Sequence, residues 1–128
     1  MRDRLLLVED NALNSKLLSH WLESEGFDVD VADSLAAAHA ALEANPIQLV
    51  LLDVRVGAED GLDLARWLRS ESRLSAMPII AVTAHALRSE QERIIKNGCN
   101  AVISKPVNFA ELRHELDLWL HDSKPRVG

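Results

Sequence analysis

Five short apolar runs, separated by longer amphipathic segments, constrain this chain more than any other feature. Leu5-Leu6-Leu7-Val8 ends at Glu9-Asp10, and Val29-Asp30-Val31 is a weaker, alternating run. Ile47-Gln48-Leu49-Val50-Leu51-Leu52 ends at Asp53, Ile79-Ile80-Ala81-Val82 at Thr83, and Ala101-Val102-Ile103 at Ser104-Lys105. Runs this short and this rich in Val, Ile and Leu fit strands of a parallel sheet buried on both faces.

The segments between them carry helical spacing. Leu13, Leu17, Leu18, Trp21 and Leu22 recur at intervals of three and four, with Gly26 as the stop. A second helix runs from about Ser34 to Ala44, capped by Asp33 or Ser34, with Pro46 just beyond its end. Leu62, Ala65 and Leu68 mark the third. The fourth, about Leu87 to Asn97, is the most polar, with only Leu87, Ile94 and Ile95 as an apolar stripe. The fifth holds Phe109, Leu112, Leu116, Trp119 and Leu120, with Asn108 and Glu111 placed as a capping box. A strand–helix unit repeated five times predicts a doubly wound, flavodoxin-like parallel sheet with helices on both faces. The expected organisation is one domain over 1–122 and a short C-terminal tail over 123–128.

Composition removes several function classes. The chain has 128 residues, is 48% hydrophobic and 27% charged, and carries a formal charge of −6. So acidic a domain is poorly suited to binding nucleic acid or an anionic membrane, both of which call for Lys and Arg. No apolar stretch approaches the roughly 18 residues of a membrane span. The start, Met1-Arg2-Asp3-Arg4, does not read as a secretory signal. The single cysteine, Cys99, can form no internal disulfide and cannot alone hold zinc. A cytoplasmic location is the expectation.

Sites in such sheets lie beyond the carboxyl ends of the strands, where strand order reverses. With order 2-1-3-4-5 the first and third strands are central neighbours. Glu9, Asp10 and Asp53 then share one pocket, flanked by Thr83 and Lys105. Three neighbouring carboxylates repel unless one is protonated or a cation neutralises them. An all-oxygen set suits Mg²⁺. Asp53, central in the group, is the candidate nucleophile toward phosphorus, and Lys105 is placed to stabilise charge on phosphoryl oxygens.

With those residues in place the sequence resembles the receiver domains of response regulators in two-component signalling. The matching stretches are Leu7-Val8-Glu9-Asp10-Asn11, Leu51-Leu52-Asp53-Val54, Asp60-Gly61, Val82-Thr83-Ala84-His85-Ala86 and Ser104-Lys105-Pro106-Val107. The run from Asn97 to Pro106 looks most like stand-alone receivers that control bacterial cell division and polarity, and is also similar to receiver modules of hybrid histidine kinases.

The resemblance implies that Asp53 is a phosphoacceptor, served by a histidine kinase or phosphotransfer protein. It implies Mg²⁺, with Mn²⁺ as a substitute, on Asp10, Asp53 and the main-chain carbonyl of Arg55, with Glu9 acting through a water. Thr83 would shift toward the phosphoryl group, Lys105 would contact it, and the bond from Lys105 to Pro106 would be cis. A downstream protein would dock on the fourth helix, fifth strand and fifth helix, with the domain a monomer or a phosphorylation-dependent dimer. Arg55 and His85 occupy positions that tune hydrolysis in similar proteins, or are simply exposed polar side chains. Such a protein assists its own phosphorylation and dephosphorylation and turns over no separate metabolite.

Three positions depart from the family pattern. Val102 stands where an aromatic switch residue is usual, so coupling would run through Thr83 and the backbone. Gly57 replaces a usual proline and predicts a looser loop. Glu9 replaces the commoner aspartate. Two rival readings remain: a pseudo-receiver that binds proteins without phosphorylation, and a small nucleotide-binding enzyme or aspartyl phosphatase. Against the second, the chain has neither a G-x-G-x-x-G nor a P-loop motif, and no second aspartate follows Asp53-Val54-Arg55. The scattered His20, His39, His114 and His121 read as surface or boundary residues. Cys99 reads as packed near the fifth strand, and Trp21, Trp67 and Trp119 as core or core-edge residues.

Overall fold

The computed structural model describes residues 2–122. The predicted tail over 123–128 lies outside them. The chain runs β1 (Arg4–Val8), α1 (Ala12–Ser24), β2 (Asp28–Ala32), α2 (Leu35–Ala44), β3 (Leu49–Asp53), β4 (Arg55–Val56), β5 (Glu59–Asp60), α3 (Leu62–Ser70), β6 (Ile79–Thr83), α4 (Arg88–Lys96), β7 (Ala101–Ser104) and α5 (Phe109–Asp122). Five strands form one sheet in the order β2-β1-β3-β6-β7, with all neighbours parallel. Counting these five alone, the order is the expected 2-1-3-4-5. The sequence pattern missed β4 and β5, an antiparallel pair of two-residue strands directly after Asp53.

Alternation along the strands divides the core. Leu6, Val8, Val50, Leu52, Ile79 and Ala81 face one way and pack on Leu35, Ala38 and Leu42 of α2, Leu62 to Leu68 of α3, and Ile94 of α4. Leu5, Leu7, Leu49, Leu51, Ile80 and Ile103 face the other way, onto Leu18 and Leu22 of α1 and Leu112, Leu116 and Leu120 of α5. Every residue of β3 is buried, which is why its sequence is almost uniformly apolar up to Asp53. Cys99 lies in the first of these cores, and Trp21, Trp67 and Trp119 are half-buried at the edges.

Local chemistry sets the element ends. Ser34 caps α2, its side chain accepting from Ala37 N–H at 3.1 Å, which settles the choice between Asp33 and Ser34. Asn11 caps α1 through Asn14 N–H at 3.0 Å, and Asn108 accepts from Glu111 N–H at 2.9 Å at the start of α5. Gly57 takes φ +61° to turn the β4–β5 hairpin, and Val56 anchors that hairpin in the core.

Candidate functional site

The parallel strands deliver polar residues to one end of the sheet. β1 pairs with β3, so Glu9 and Asp10 emerge beside Asp53, while β6 and β7 bring Thr83 and Ser104 level in register just before Lys105. Glu9, Asp10 and Asp53 each offer a carboxylate oxygen within 4.8 Å of the others. Glu9 is 4% exposed and Asp53 7%, whereas Asp10 is open to solvent. Opposite them, Lys105 Nζ lies 2.8 Å from Asp53 Oδ2 and 3.7 Å from Glu9 Oε1. These residues line a cleft of about 660 Å³ together with Arg55, Gly57, Asp60, Thr83, His85, Glu90 and Arg93.

Electrostatics follow from this crowding. Burial pushes the Glu9 carboxyl up from its ordinary value of 4.5 to about 7, and the hydrogen bond its protonated form donates to Asp53, together with the Asp53 charge, pushes the same way. Burial pulls the Lys105 ammonium down, but its hydrogen bond and ion pair with Asp53, reinforced by Glu9 and Asp10, outweigh that and leave it raised. Each oxygen of Asp53 has a partner, because Oδ1 accepts from Arg55 N–H at 3.2 Å. The three carboxylates form an all-oxygen group with a single ammonium to balance them, which fits a hard divalent cation such as Mg²⁺.

Thr83 is buried at the floor of the cleft. Its hydroxyl accepts from His85 N–H at 3.0 Å and donates to His85 carbonyl oxygen at 3.3 Å. The bond from Lys105 to Pro106 is cis. Gly61 packs directly against the phosphoacceptor candidate, so that a β-carbon there would lie 2.1 Å from the Asp53 carbonyl oxygen.

All the residues assigned by sequence to the acidic and basic halves of the site are therefore together. Arg55 and His85 stand exposed at its rim. Val102 does not line the cleft. It is half-buried against the core shared by α2, α3 and α4. Pro106 lines a second, smaller cleft on the other side of Lys105, with Leu17, Leu18, Val107 and Phe109. Sequence reasoning passed over Asp60, Glu90 and Arg93. The Asp60-Gly61 pair was visible, but nothing in the sequence told that α4 would lean over the same cleft.

Comparison with known proteins gives this arrangement its family. The model of the response regulator receiver domain matches residues 5–117. The chain is a receiver domain. The polar-differentiation response regulator DivK of Brucella ovis is 35% identical over 124 residues, covering 96% of this chain and 100% of that protein. Among solved structures, the receiver domain of a sensor histidine kinase from Pseudomonas aeruginosa superposes with a TM-score of 0.85 at 31% identity, covering 94% of this chain and 99% of that one. That structure holds a magnesium ion coordinated in its active-site cleft. The signal receiver domain of a histidine kinase from Syntrophus aciditrophicus gives a TM-score of 0.88 at 25% identity, covering 98% of this chain and 96% of that one. The chain is thus a signalling module of the response-regulator type. Among the described residues, no helix is long and apolar enough to cross a membrane.

Proposed function

We propose that Asp53 is the phosphoacceptor of this receiver domain and that its phosphorylation switches protein binding. The observation that carries this reading is the ion pair of 2.8 Å between Lys105 and Asp53, set beside two further carboxylates at the mouth of the sheet. An oxygen of Asp53 attacks the phosphorus of a phosphohistidine on a kinase or phosphotransfer protein. The P–N bond breaks, its electron pair stays on the imidazole nitrogen, which takes up a proton, and an acyl phosphate forms. Asp10, Asp53 and the Arg55 carbonyl would hold Mg²⁺ or Mn²⁺, with Glu9 acting through a water. A bound divalent ion supplies charge neutralisation between the carboxylate and the incoming phosphoryl group.

Lys105 is placed to follow the phosphoryl oxygens as they gather charge. Thr83 turns its hydroxyl from the His85 backbone to the phosphoryl group, carrying the loop to α4 with it. Hydrolysis by water, tuned by Arg55 and His85 at the rim, restores the carboxylate and ends the signal. Val102 leaves coupling to Thr83 and the backbone, since no aromatic ring is there to move.

The output face is α4, β7 and α5. Leu87, at the cap position just before α4, and Ile95 within it are 72% and 48% exposed, apolar surface beside a helix otherwise rich in charge. The protein acts as a monomer or a phosphorylation-dependent dimer in the cytoplasm, without direct contact to nucleic acid or membrane.

The test is exposure to acetyl phosphate and Mg²⁺. One phosphoryl group of added mass is expected on the intact chain and none on Asp53→Asn. No gain on the intact chain would favour a phosphorylation-independent binding module. Steady release of phosphate from other substrates would favour an enzyme.

A further inference from the structure

α4 has the weakest apolar anchorage of the helices on its face of the sheet. Only Ile94 of its nine residues is buried, whereas α3, of the same length, buries Leu62, Leu64, Ala65 and Leu68. Polar ties stand in for a packed stripe. Arg93 Nη2 donates to Asp60 Oδ2 at 2.7 Å, and Arg93 Nη1 to Glu90 Oε1 at 3.0 Å. Asp60 Oδ1 meanwhile accepts from Leu62 N–H at 3.0 Å, so one carboxylate both caps α3 and holds α4. At the far end of α4, Asn97 accepts from Arg66 at 2.7 Å.

Asp60, Glu90 and Arg93 line the same cleft as Asp53 and Thr83. The Thr83 hydroxyl is bonded both ways to the His85 backbone, and the chain from there leads straight into α4. Movement of Thr83 therefore pulls on a helix that Arg93 ties to the β4–β5 hairpin.

We propose that the Arg93–Asp60 ion pair is a clasp that holds α4 against the β4–β5 hairpin while Asp53 is free, and that opens when Asp53 carries a phosphoryl group. The clasp regulates the site through α4 and rests on the reading of Asp53 as phosphoacceptor. If it opens in the phosphorylated state, removing it lowers the cost of reaching that state, and a phosphoryl mimic binds more tightly.

The experiment uses Arg93→Gln, Asp60→Asn (which keeps an oxygen for Leu62 N–H) and the double variant. Calorimetric titration with beryllium fluoride and Mg²⁺ should show binding about fivefold tighter in each single variant, the factor expected of a strong partly exposed pair. The double variant should gain no more than either. A plain field effect on an anionic ligand instead weakens binding in Arg93→Gln and strengthens it in Asp60→Asn. That result, or no change, overturns the coupling. Hydrogen exchange without ligand should show α4 amides about fivefold faster in both single variants and α1 amides unaltered. Unaltered α4 exchange overturns the clasp whatever the ligand does. Equal beryllium fluoride binding by the intact chain and Asp53→Asn would instead defeat the phosphoacceptor reading, and the exchange data would still decide the clasp.

Discussion

Gly61 sits so close beneath Asp53 that a β-carbon on it would come within 2.1 Å of the Asp53 carbonyl oxygen and 3.1 Å of that of Val54. Both obstacles are backbone, and Gly61 N–H also donates to Val54 carbonyl oxygen at 2.6 Å. Neither can yield without shifting the end of β3. Gly61→Ala is expected to cost about 2–3 kcal/mol, in the range of overpacked cores, and to lower the melting temperature by roughly 10 °C. Gly57→Ala tests a different physics, because its β-carbon meets nothing closer than 3.9 Å and only φ +61° opposes it. Its cost should be about 1–2 kcal/mol. Thermal unfolding of the two variants, with phosphorylation yield beside it, should show the larger loss in both for Gly61.

Lys105 balances two buried carboxylates at once, at 2.8 Å and 3.7 Å. Lys105→Met keeps the aliphatic stem and removes the charge, leaving Glu9 and Asp53 uncompensated. The rate of phosphorylation by acetyl phosphate should fall about 100-fold, the scale for losing one group that stabilises developing charge. Mg²⁺ affinity should move the other way, since the competing cation is gone. A quench-flow or mass-spectrometric time course, paired with Mg²⁺ titration, checks both. Weaker Mg²⁺ binding in Lys105→Met would contradict the electrostatic account.

Much of this was legible in the sequence because burial on both faces forces β3 and β6 to be apolar until the residue that reaches the cleft. Asp53 and Thr83 announce themselves as the first polar residues after such runs. Parallel pairing then fixes which strand ends meet. The β4–β5 hairpin left no trace, since two-residue strands are too short to show a period of two. Arg93 was hidden for another reason. On a helix whose sequence is nearly all polar, spacing does not say which charge leans over the cleft and which faces water.

Glu9 gives the metal-free protein a distinctive pH dependence. Its carboxyl is held at about 7 in the folded state by burial and by Asp53, against an ordinary value of 4.5. Between those values the folded chain binds more protons than the unfolded chain. Stability therefore falls as pH rises from about 4.5 through 7. In chelator, the melting temperature should drop by several degrees from pH 5.5 to pH 8 through this group. Glu9→Gln, which stays neutral throughout, should flatten the slope, and so should saturating Mg²⁺. Calorimetric melts across that range check the sign. A rise with pH in chelator that Glu9→Gln leaves untouched would show the shift to be absent.

Cys99 offers a test of the core away from the site. Burial pushes its thiol from 9.0 up to about 12, and the nearby charge of Arg69 only partly opposes this. The thiolate is the reactive form, so at pH 8 the folded protein should hardly react with a thiol reagent. Modification should instead follow opening of the fold, slow in buffer and complete within mixing time in denaturant. The linkage has its own sign. Because the folded thiol keeps its proton above pH 9 while the unfolded one loses it, stability should decline as pH climbs from about 9 toward 12. Cys99→Ala removes that decline at the cost of a small cavity between α4 and β7, where Cys99 N–H donates to Ile94 carbonyl oxygen at 3.3 Å. Fast labelling of the folded chain at pH 8 would place the thiol in contact with solvent and contradict its position in the core.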